Sequence, residues 1–463
     1  MTEFKEIEQI LASQGTTTDQ ISLFSDLYYQ FLKQKKEPLD WDKISTPADE
    51  SIIPYESLET VDSVHTKGLL EQLAVCRLNG GLGTSMGCVG PKSAIEVRNN
   101  QTFLDLIVTQ INTINQKYGV NVPLILMNSF NTDQDTNKII RKYDDEVLIH
   151  TFKQNEFNRL RKDSWLPLSA KKYGASTKYP PGHGDFYNSI GRSGILDSLI
   201  EQGKKYMYIA NADNLGASVD FKILHYLDRS NTDFIMEVTE KTRADVKGGT
   251  LVRTDKQTLK LLEFAQVPEE YREEFKSIKK FKIFNTNNIW INLVALRNKL
   301  DSKSLVLDVF ENFKQVNRLP VVQLETAIGG GINCFKNSKA IQVPRIRFLP
   351  VKTTNDLLLI QSNLFILDGG VLKRNQSRHF ENLPLIRLGE FYRTIDDYKK
   401  RISMIPDILE LDHLTVVGDV YFGKKTKLCG NVILVCERGE LHIPDQSFLE
   451  NKVMTGNIRI GEL

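Results

Sequence analysis

The amino-acid sequence predicts an α/β protein: a doubly wound, mostly parallel sheet followed by a smaller C-terminal domain of short strands. Three observations carry this. Apolar, strand-like runs at residues 73–78, 123–127, 206–210 and 234–238 alternate with helical patterns, as parallel strands joined by crossover helices require. The first run ends in a glycine-rich loop and the third in Asn211-Ala212-Asp213. Ligands of such sheets bind beyond the C-terminal strand ends, so the topology places both segments at one cleft. From about residue 385 the texture changes to short alternating strands, with turns expected at Gly418, Gly423, Gly430 and Gly439.

Taken in order, the first 45 or so residues carry apolar positions at three- and four-residue spacing. Phe4, Ile7, Ile10 and Leu11 come first, then Ile21, Phe24, Leu27, Tyr28 and Phe31, which predicts two helices. Thr18 or Asp19 is placed to cap the second. Residues 38–54, with prolines at both ends, read as a connector lying on the main domain. Phe103, Ile107, Ile111 and Ile114, flanked by Leu104 and Val108, mark an amphipathic helix after the first strand. Further helices are expected around 139–143 and over 195–202, the latter closed by Gly203. Residues 414–460 predict two or three coils of a small β-helix. The resulting segments are 1–68, 69–384 and 385–463.

A chain of 463 residues exceeds the size at which one core stops growing, which favours two or more domains. Its 60 basic and 58 acidic residues leave a formal charge of +2, which argues against a nucleic-acid-binding surface. The five cysteines form no Cys-x-x-Cys pair and suit reduced thiols in the cytoplasm. No segment approaches the roughly 18 apolar residues of a membrane span, and the N-terminus has no signal core. His65, His150, His225, His379, His413 and His442 show no metal-ligand spacing.

From Leu78 to Lys92 the chain reads Leu-Asn-Gly-Gly-Leu-Gly-Thr-Ser-Met-Gly-Cys-Val-Gly-Pro-Lys. Consecutive small residues after a strand let backbone N–H groups approach a phosphate or a nucleobase. An NTPase phosphate loop needs Gly directly before Lys-Ser, whereas Pro91 separates Gly90 from Lys92. A dinucleotide fingerprint needs Gly-x-Gly-x-x-Gly, whereas Gly83 and Gly87 stand one residue too far apart. The loop is built for a nucleotide, but for neither of those chemistries.

This loop resembles the nucleotide-binding signature of UDP-sugar pyrophosphorylases, and its fuller form is similar to that of the eukaryotic UTP–glucose-1-phosphate uridylyltransferase family. Four further segments share the family's order: Tyr-Pro-Pro-Gly-His-Gly-Asp from Tyr179, Ala-Asn-Ala-Asp-Asn-Leu-Gly from Ala210, Phe-Asn-Thr-Asn-Asn from Phe284, and Leu-Pro-Val-Lys-Thr-Thr from Leu349. The resemblance implies a Rossmann-like nucleotidyltransferase domain at 69–384 behind an N-terminal helical segment, and a left-handed β-helix domain at 385–463. It implies attack of glucose 1-phosphate on the α-phosphorus of UTP with Mg²⁺ present, and a monomer or weak homo-oligomer associating through the C-terminal domain. The nucleophile belongs to the substrate, so positioning and charge neutralisation are what the protein must supply.

By the same resemblance Lys92 and Lys352 contact phosphate and Asp213 ligates Mg²⁺, against the plainer readings of solvated lysines and a turn-capping aspartate. Leu78, Asn79, Gly80, Gly81 and Gly182 join these three in holding UTP. Gln154 reads uracil, although Lys153 stands where the family's Phe-Asn-Gln has Asn. An amide there donates to O4 and accepts from N3–H, which rejects cytosine. Gly80, Gly81, His183, Asn211, Ala212, Asp213 and Asn287 are implied for the sugar phosphate. Lys247-Gly248-Gly249-Thr250 and Glu325-Thr326-Ala327 are candidates to complete the sugar pocket. A rival enzyme reading is a pyrophosphorylase for galactose or an N-acetylhexosamine, disfavoured by Asn79 and Thr84-Ser85. A rival from another class is an inactive sensor of UDP-sugar, disfavoured by intact Lys92, Asp213 and Lys352.

Overall fold

The structure is a computed structural model that describes residues 4–37, 39–48, 51–242, 245, 248–254, 259–380 and 382–456. Pro38, Lys247 and residues 457–460 of the sequence reading lie outside these. The helical spacing near the N-terminus builds α1 (Phe4–Ser13) and α2 (Thr18–Lys36). Thr17, one residue ahead of the expected cap, accepts the Gln20 N–H and so satisfies a donor left open by the helix start. Phe4, Ile7, Leu11, Phe24, Tyr28 and Phe31 pack in one cluster with Phe157, Tyr179 and Leu324.

Among the described residues eight strands form the central sheet: β1 (Ile52–Pro54), β2 (Leu73–Asn79), β3 (Leu124–Asn128), β4 (Ile149–Lys153), β5 (Tyr206–Asn211), β6 (Phe234–Glu240), β7 (Ile283–Asn292) and β8 (Ser338–Gln342). Their order is β1-β8-β6-β7-β5-β2-β3-β4. The connector thus contributes an edge strand, with Ile52 opposite Ala340. All pairings are parallel except those of β7, which runs antiparallel to both β5 and β6. Beyond its asparagine motif, nothing in the sequence reading pointed to this strand. Between β6 and β7 the described residues make an antiparallel strand pair (Gly249–Arg253 with Leu259–Glu263) and a short helix (Arg272–Lys276), and β7 lies antiparallel beside β6, so the chain re-enters the sheet from the end it left. Alternate residues of the central strands, among them Cys76, Met127, Ile209, Met236 and Ile291, bury one face of the sheet. The helix expected around 139–143 begins earlier, at Asp133–Ile139, and tightens into a 3₁₀ turn over Ile140–Tyr143. Asp133 and Asp135 in its first turn favour that start.

The chain divides into two compact units that cut across the contiguous segments read from the sequence. One comprises Met1–Gly80, Ile114–Asn211 and Val219–Arg345 and holds the whole central sheet; the other comprises Gly81–Thr113, Ala212–Ser218 and Ile346–Leu463. In the second unit, β9 (Leu385–Arg387), β10 (Leu411–Val417), β12 (Lys427–Cys436) and β14 (Phe448–Gly456) form a parallel ladder, and β11 (Val420–Phe422) pairs in parallel with β13 (Leu441–Ile443). Leu414 stands opposite Val432, and Val432 opposite Lys452. Gly430 lies inside β12 at φ 60°, beside a register shift, and not at a turn between strands. Met86, Ile95, Leu215, Val351 and Leu357 share one core cluster with Leu388, Leu411, Leu414, Leu428 and Val432. The segment that bears the glycine loop is therefore packed on the same core as the C-terminal strands.

Candidate active site

In the second unit the glycine loop closes on itself. Leu82 bridges Pro91, and the Lys92 N–H donates to the Gly81 carbonyl at 3.0 Å. This short closure fixes where the Lys92 side chain leaves the backbone. Asp213-Asn214 is zipped to the segment that leads into Lys352: the Val351 N–H donates to the Asp213 carbonyl at 3.1 Å, and Asn214 bridges Pro350. Asn214 Oδ1 also accepts the Leu349 N–H at 2.8 Å. Directly beyond Lys352, Thr353 and Asp356 form a capping box that starts the helix Thr354–Gln361. The Leu-Pro-Val-Lys-Thr-Thr motif is thus a segment bridged to Asn214, a lysine and a helix cap in sequence.

The three charged residues meet. Asp213 Oδ2 accepts from Lys92 Nζ at 2.7 Å and from Lys352 Nζ at 2.6 Å. The Lys92 and Asp213 side chains are 12% and 10% exposed and that of Lys352 57%, so Lys352 is the more exposed of the two paired cations. Burial pushes the Asp213 carboxyl up, but the charges and hydrogen bonds of Lys352 and Lys92 outweigh it and hold the group below its usual value. Burial also lowers the Lys92 ammonium, with Asp213 opposing the shift. Asp213 Oδ1 is buried and has no hydrogen-bond partner among the described residues. An orphaned carboxylate oxygen beside two lysines fits a Mg²⁺ ion, which takes one or two carboxylates and completes its shell with phosphate and water. Among the described residues no three His, Cys, Asp or Glu side chains gather into a ready cage, so Asp213 would be the protein's own ligand.

The remaining candidates belong to the sheet-bearing unit, Gly81 and Ala212 excepted. β2 and β5 are parallel neighbours with Leu78 opposite Asn211, so the two strands that precede the glycine loop and Asp213 end side by side. Asn79 turns inward: its amide donates to Asn128 Oδ1 at 2.8 Å and Thr136 Oγ1 at 2.9 Å, and its carbonyl accepts from Thr132 at 2.8 Å. It anchors the loop with its side chain. Gln154, 8% exposed, donates its N–H to the Asn128 carbonyl at 2.9 Å. Its amide lies so close over Gly80 that a Cβ there would overlap Nε2. The glycine is what lets the glutamine side chain lie against the backbone.

Gly182 sits at φ 85°, and a Cβ would come within 2.5 Å of the Thr326 carbonyl, so the His183 loop lies flush on Thr326. His183 Nδ1 accepts the Ile328 N–H at 2.9 Å. A nitrogen that accepts must keep its lone pair, so the ring is neutral with its proton on Nε2. Asn287 stands in the left-handed region at φ 58°, exchanging hydrogen bonds with Asn285. The register between β6 and β7 shifts across this stretch, a bulge that re-aims the side chain. Thr250 is spent on the Ile283 carbonyl at 2.7 Å, and Glu325 accepts from Asn312 at 2.9 Å.

The sequence reading passed over Glu263. It is part-buried beside Gly249, and burial pushes its carboxyl up to about 7. The available signal was Gln266 three residues on, which completes a capping box with it.

Comparison with known proteins decides the family. The family profile described as UTP–glucose-1-phosphate uridylyltransferase matches residues 21–429. The chain belongs to this family. A Dictyostelium discoideum relative named UTP–glucose-1-phosphate uridylyltransferase 2 is 50% identical over 96% of this chain and 89% of its own length. A Musa acuminata relative named UTP–glucose-1-phosphate uridylyltransferase is 50% identical, over 94% of each. Among solved structures, UDP-glucose phosphorylase from Trypanosoma brucei superposes with a TM-score of 0.87 at 36% identity, covering 98% and 99% of the two chains. A mutant of UDP-glucose pyrophosphorylase from Leishmania major, solved in complex with UDP-glucose, gives 0.88 at 31% identity, covering 98% and 100%. The uridylyltransferase family thus accounts for the mixed α/β fold with its parallel-rich sheet. In this member, Lys92, Asp213 and Lys352 form one cluster, and Gln154 lies against Gly80.

Proposed function

We propose that the chain forms UDP-glucose and pyrophosphate from UTP and glucose 1-phosphate, with Mg²⁺ required. The observation that carries this reading is the convergence of Lys92 and Lys352 on one oxygen of buried Asp213, whose second oxygen has no hydrogen-bond partner among the described residues. A phosphate oxygen of glucose 1-phosphate attacks the α-phosphorus of UTP; that P–O bond forms as the α–β bond breaks, and pyrophosphate leaves. UTP and the sugar phosphate together carry roughly six negative charges, so charge neutralisation is the main task. Lys92, fixed behind Pro91, and the more exposed Lys352 exchange the Asp213 carboxylate for phosphate oxygens as substrates enter. Bound Mg²⁺, held by Asp213, would supply further positive charge to the phosphates. Gln154 reads uracil over Gly80, His183 donates through Nε2–H, and Asn287 presents a neutral amide to sugar hydroxyls. We read the C-terminal ladders as coils of a left-handed β-helix through which the chain, a monomer or weak homo-oligomer, associates. Its setting is read as cytoplasmic; among the described residues no helix is long and apolar enough to cross a membrane.

Pyrophosphate release across a panel of nucleoside triphosphates and sugar 1-phosphates tests the reading. Release is expected with UTP and glucose 1-phosphate, abolished by a chelator and restored by Mg²⁺. Preference for galactose or N-acetylglucosamine 1-phosphate would move the chain to another sugar, and binding of UDP-glucose without any release would make it a sensor.

A further inference from the structure

We infer that Asp185 is a positioning residue: its carboxylate sets the backbone that carries Gln154 and ties it to the His183 loop. The inference rests on the proposed roles of Gln154 and His183 and adds a determinant of base specificity outside the residues that meet the substrate. Asp185 closes the Pro-Pro-Gly-His-Gly-Asp motif, yet nothing in the reaction asks for it. It is 5% exposed, and donors of two separate segments saturate it. Oδ2 accepts the Asn155 backbone N–H and the Ser189 hydroxyl, each at 2.6 Å, and Oδ1 accepts the Asn155 side-chain amide at 2.8 Å.

Asn155 is the residue directly after Gln154, whose own N–H is held by the Asn128 carbonyl at the end of β3. Gln154 is therefore fixed from both sides, once by the sheet and once by Asp185. At its other end Asp185 continues the Gly182-His183-Gly184 loop. That loop is fastened by the Thr326 N–H to the Pro181 carbonyl at 3.0 Å and by the Ile328 N–H to His183 Nδ1 at 2.9 Å. One acceptor-only group thus joins the base-reading segment to the histidine loop. A carboxylate suits this place because every partner is a donor. An amide would turn an N–H₂ group toward the Asn155 donors and leave a buried group unmatched.

The test is Asp185→Asn in the full-length protein, with kcat and KM measured for UTP and for CTP against glucose 1-phosphate. The unaltered chain is assayed first: if it releases no pyrophosphate from UTP, the proposed function falls, whereas the outcomes below bear on Asp185 alone. The UTP-over-CTP ratio of kcat/KM is expected to drop about 10-fold or more, mainly through a higher KM for UTP, the scale of a broken buried hydrogen bond to a charged group. In a Gln154→Ala background the same change is expected to remove no further preference, because Asp185 acts through Gln154. Should Asp185→Asn fail to fold, Asn155→Ala, which keeps the carboxylate and its backbone bond, is expected to give a smaller loss in the same ratio. Undiminished UTP preference in either variant, or an equal further loss in the Gln154→Ala background, overturns the inference.

Discussion

Asp213 holds two ammonium groups on one oxygen and leaves the other without a hydrogen-bond partner among the described residues. Replacing it with Asn keeps the volume but removes the charge that holds Lys92 and Lys352 together. Asp213→Asn is expected to lower turnover by roughly 10²-fold, the scale of losing one electrostatic stabiliser. UTP should still bind, measured by titration, and added Mg²⁺ should restore only part of the rate. Normal turnover at low Mg²⁺ would leave Asp213 as a turn-fixing residue. Glu263 is a separate case. Its carboxyl titrates at about 7 in the folded chain against 4.5 in the reference state, so the folded chain holds a proton that the unfolded chain has already lost. Its contribution to stability is therefore greatest below about 4.5 and declines as pH rises toward 7. Glu263→Gln should gain in melting temperature relative to the parent across that window and by a constant amount above it. A parallel pH profile for the two proteins would show that Glu263 ionises normally.

At the scale of elements, the ends of β2, β3 and β5 do the placing. Asn79, Asn128, Ser129 and Thr132 lock the ends of β2 and β3 to one another, which leaves Gly80 as the surface on which Gln154 lies. Gly80→Ala puts a methyl where the glutamine amide sits. Overpacking of this kind costs about 1–3 kcal/mol unless the neighbour moves, and Gln154 is the neighbour that can move. The expected outcome is a KM for UTP raised about 10-fold or more with a melting temperature close to that of the parent. A lowered melting temperature with unchanged KM would mean that the backbone yields instead. The asparagine run of β7 follows the same logic. A register shift sets Asn287 in the left-handed region within β7, while Asn288 stays buried on Glu237 at 3.0 Å.

At the scale of the whole molecule, the C-terminal strands are tied to the chemistry by packing. They carry none of the matched motifs, and the family resemblance implied only association through them. Yet Leu411, Leu414 and Val432 lie in the same cluster as Met86 of the glycine loop and Val351 beside Lys352. Deleting the chain from Leu411 removes one side of that core, and each large apolar residue stripped of its partners costs about 2–5 kcal/mol. The truncated protein is expected to be insoluble or to lose both its cooperative melting transition and its activity. A soluble truncation with normal turnover would show that the lysine–aspartate cluster stands on its own.

Local chemistry wrote much of this into the sequence. The periodicity of α1 and α2, the buried runs of β2, β3, β5 and β6, and the residue types of the glycine loop are set by neighbours within a few positions, so they were legible there. Lys92, Asp213 and Lys352 could be nominated through the family resemblance, because the motifs that carry it are short contiguous runs. Their meeting on one carboxylate oxygen joins positions far apart in the chain, and the pairing of residues 213–214 with 349–351 decided it. The direction of β7 was likewise invisible. A strand's composition reports burial, whereas its orientation depends on which sheet end the preceding connection returns to. The sequence could not reveal Asp185 as the link between Gln154 and the histidine loop, since a buried carboxylate and an exposed one look alike until the donors around it are in place.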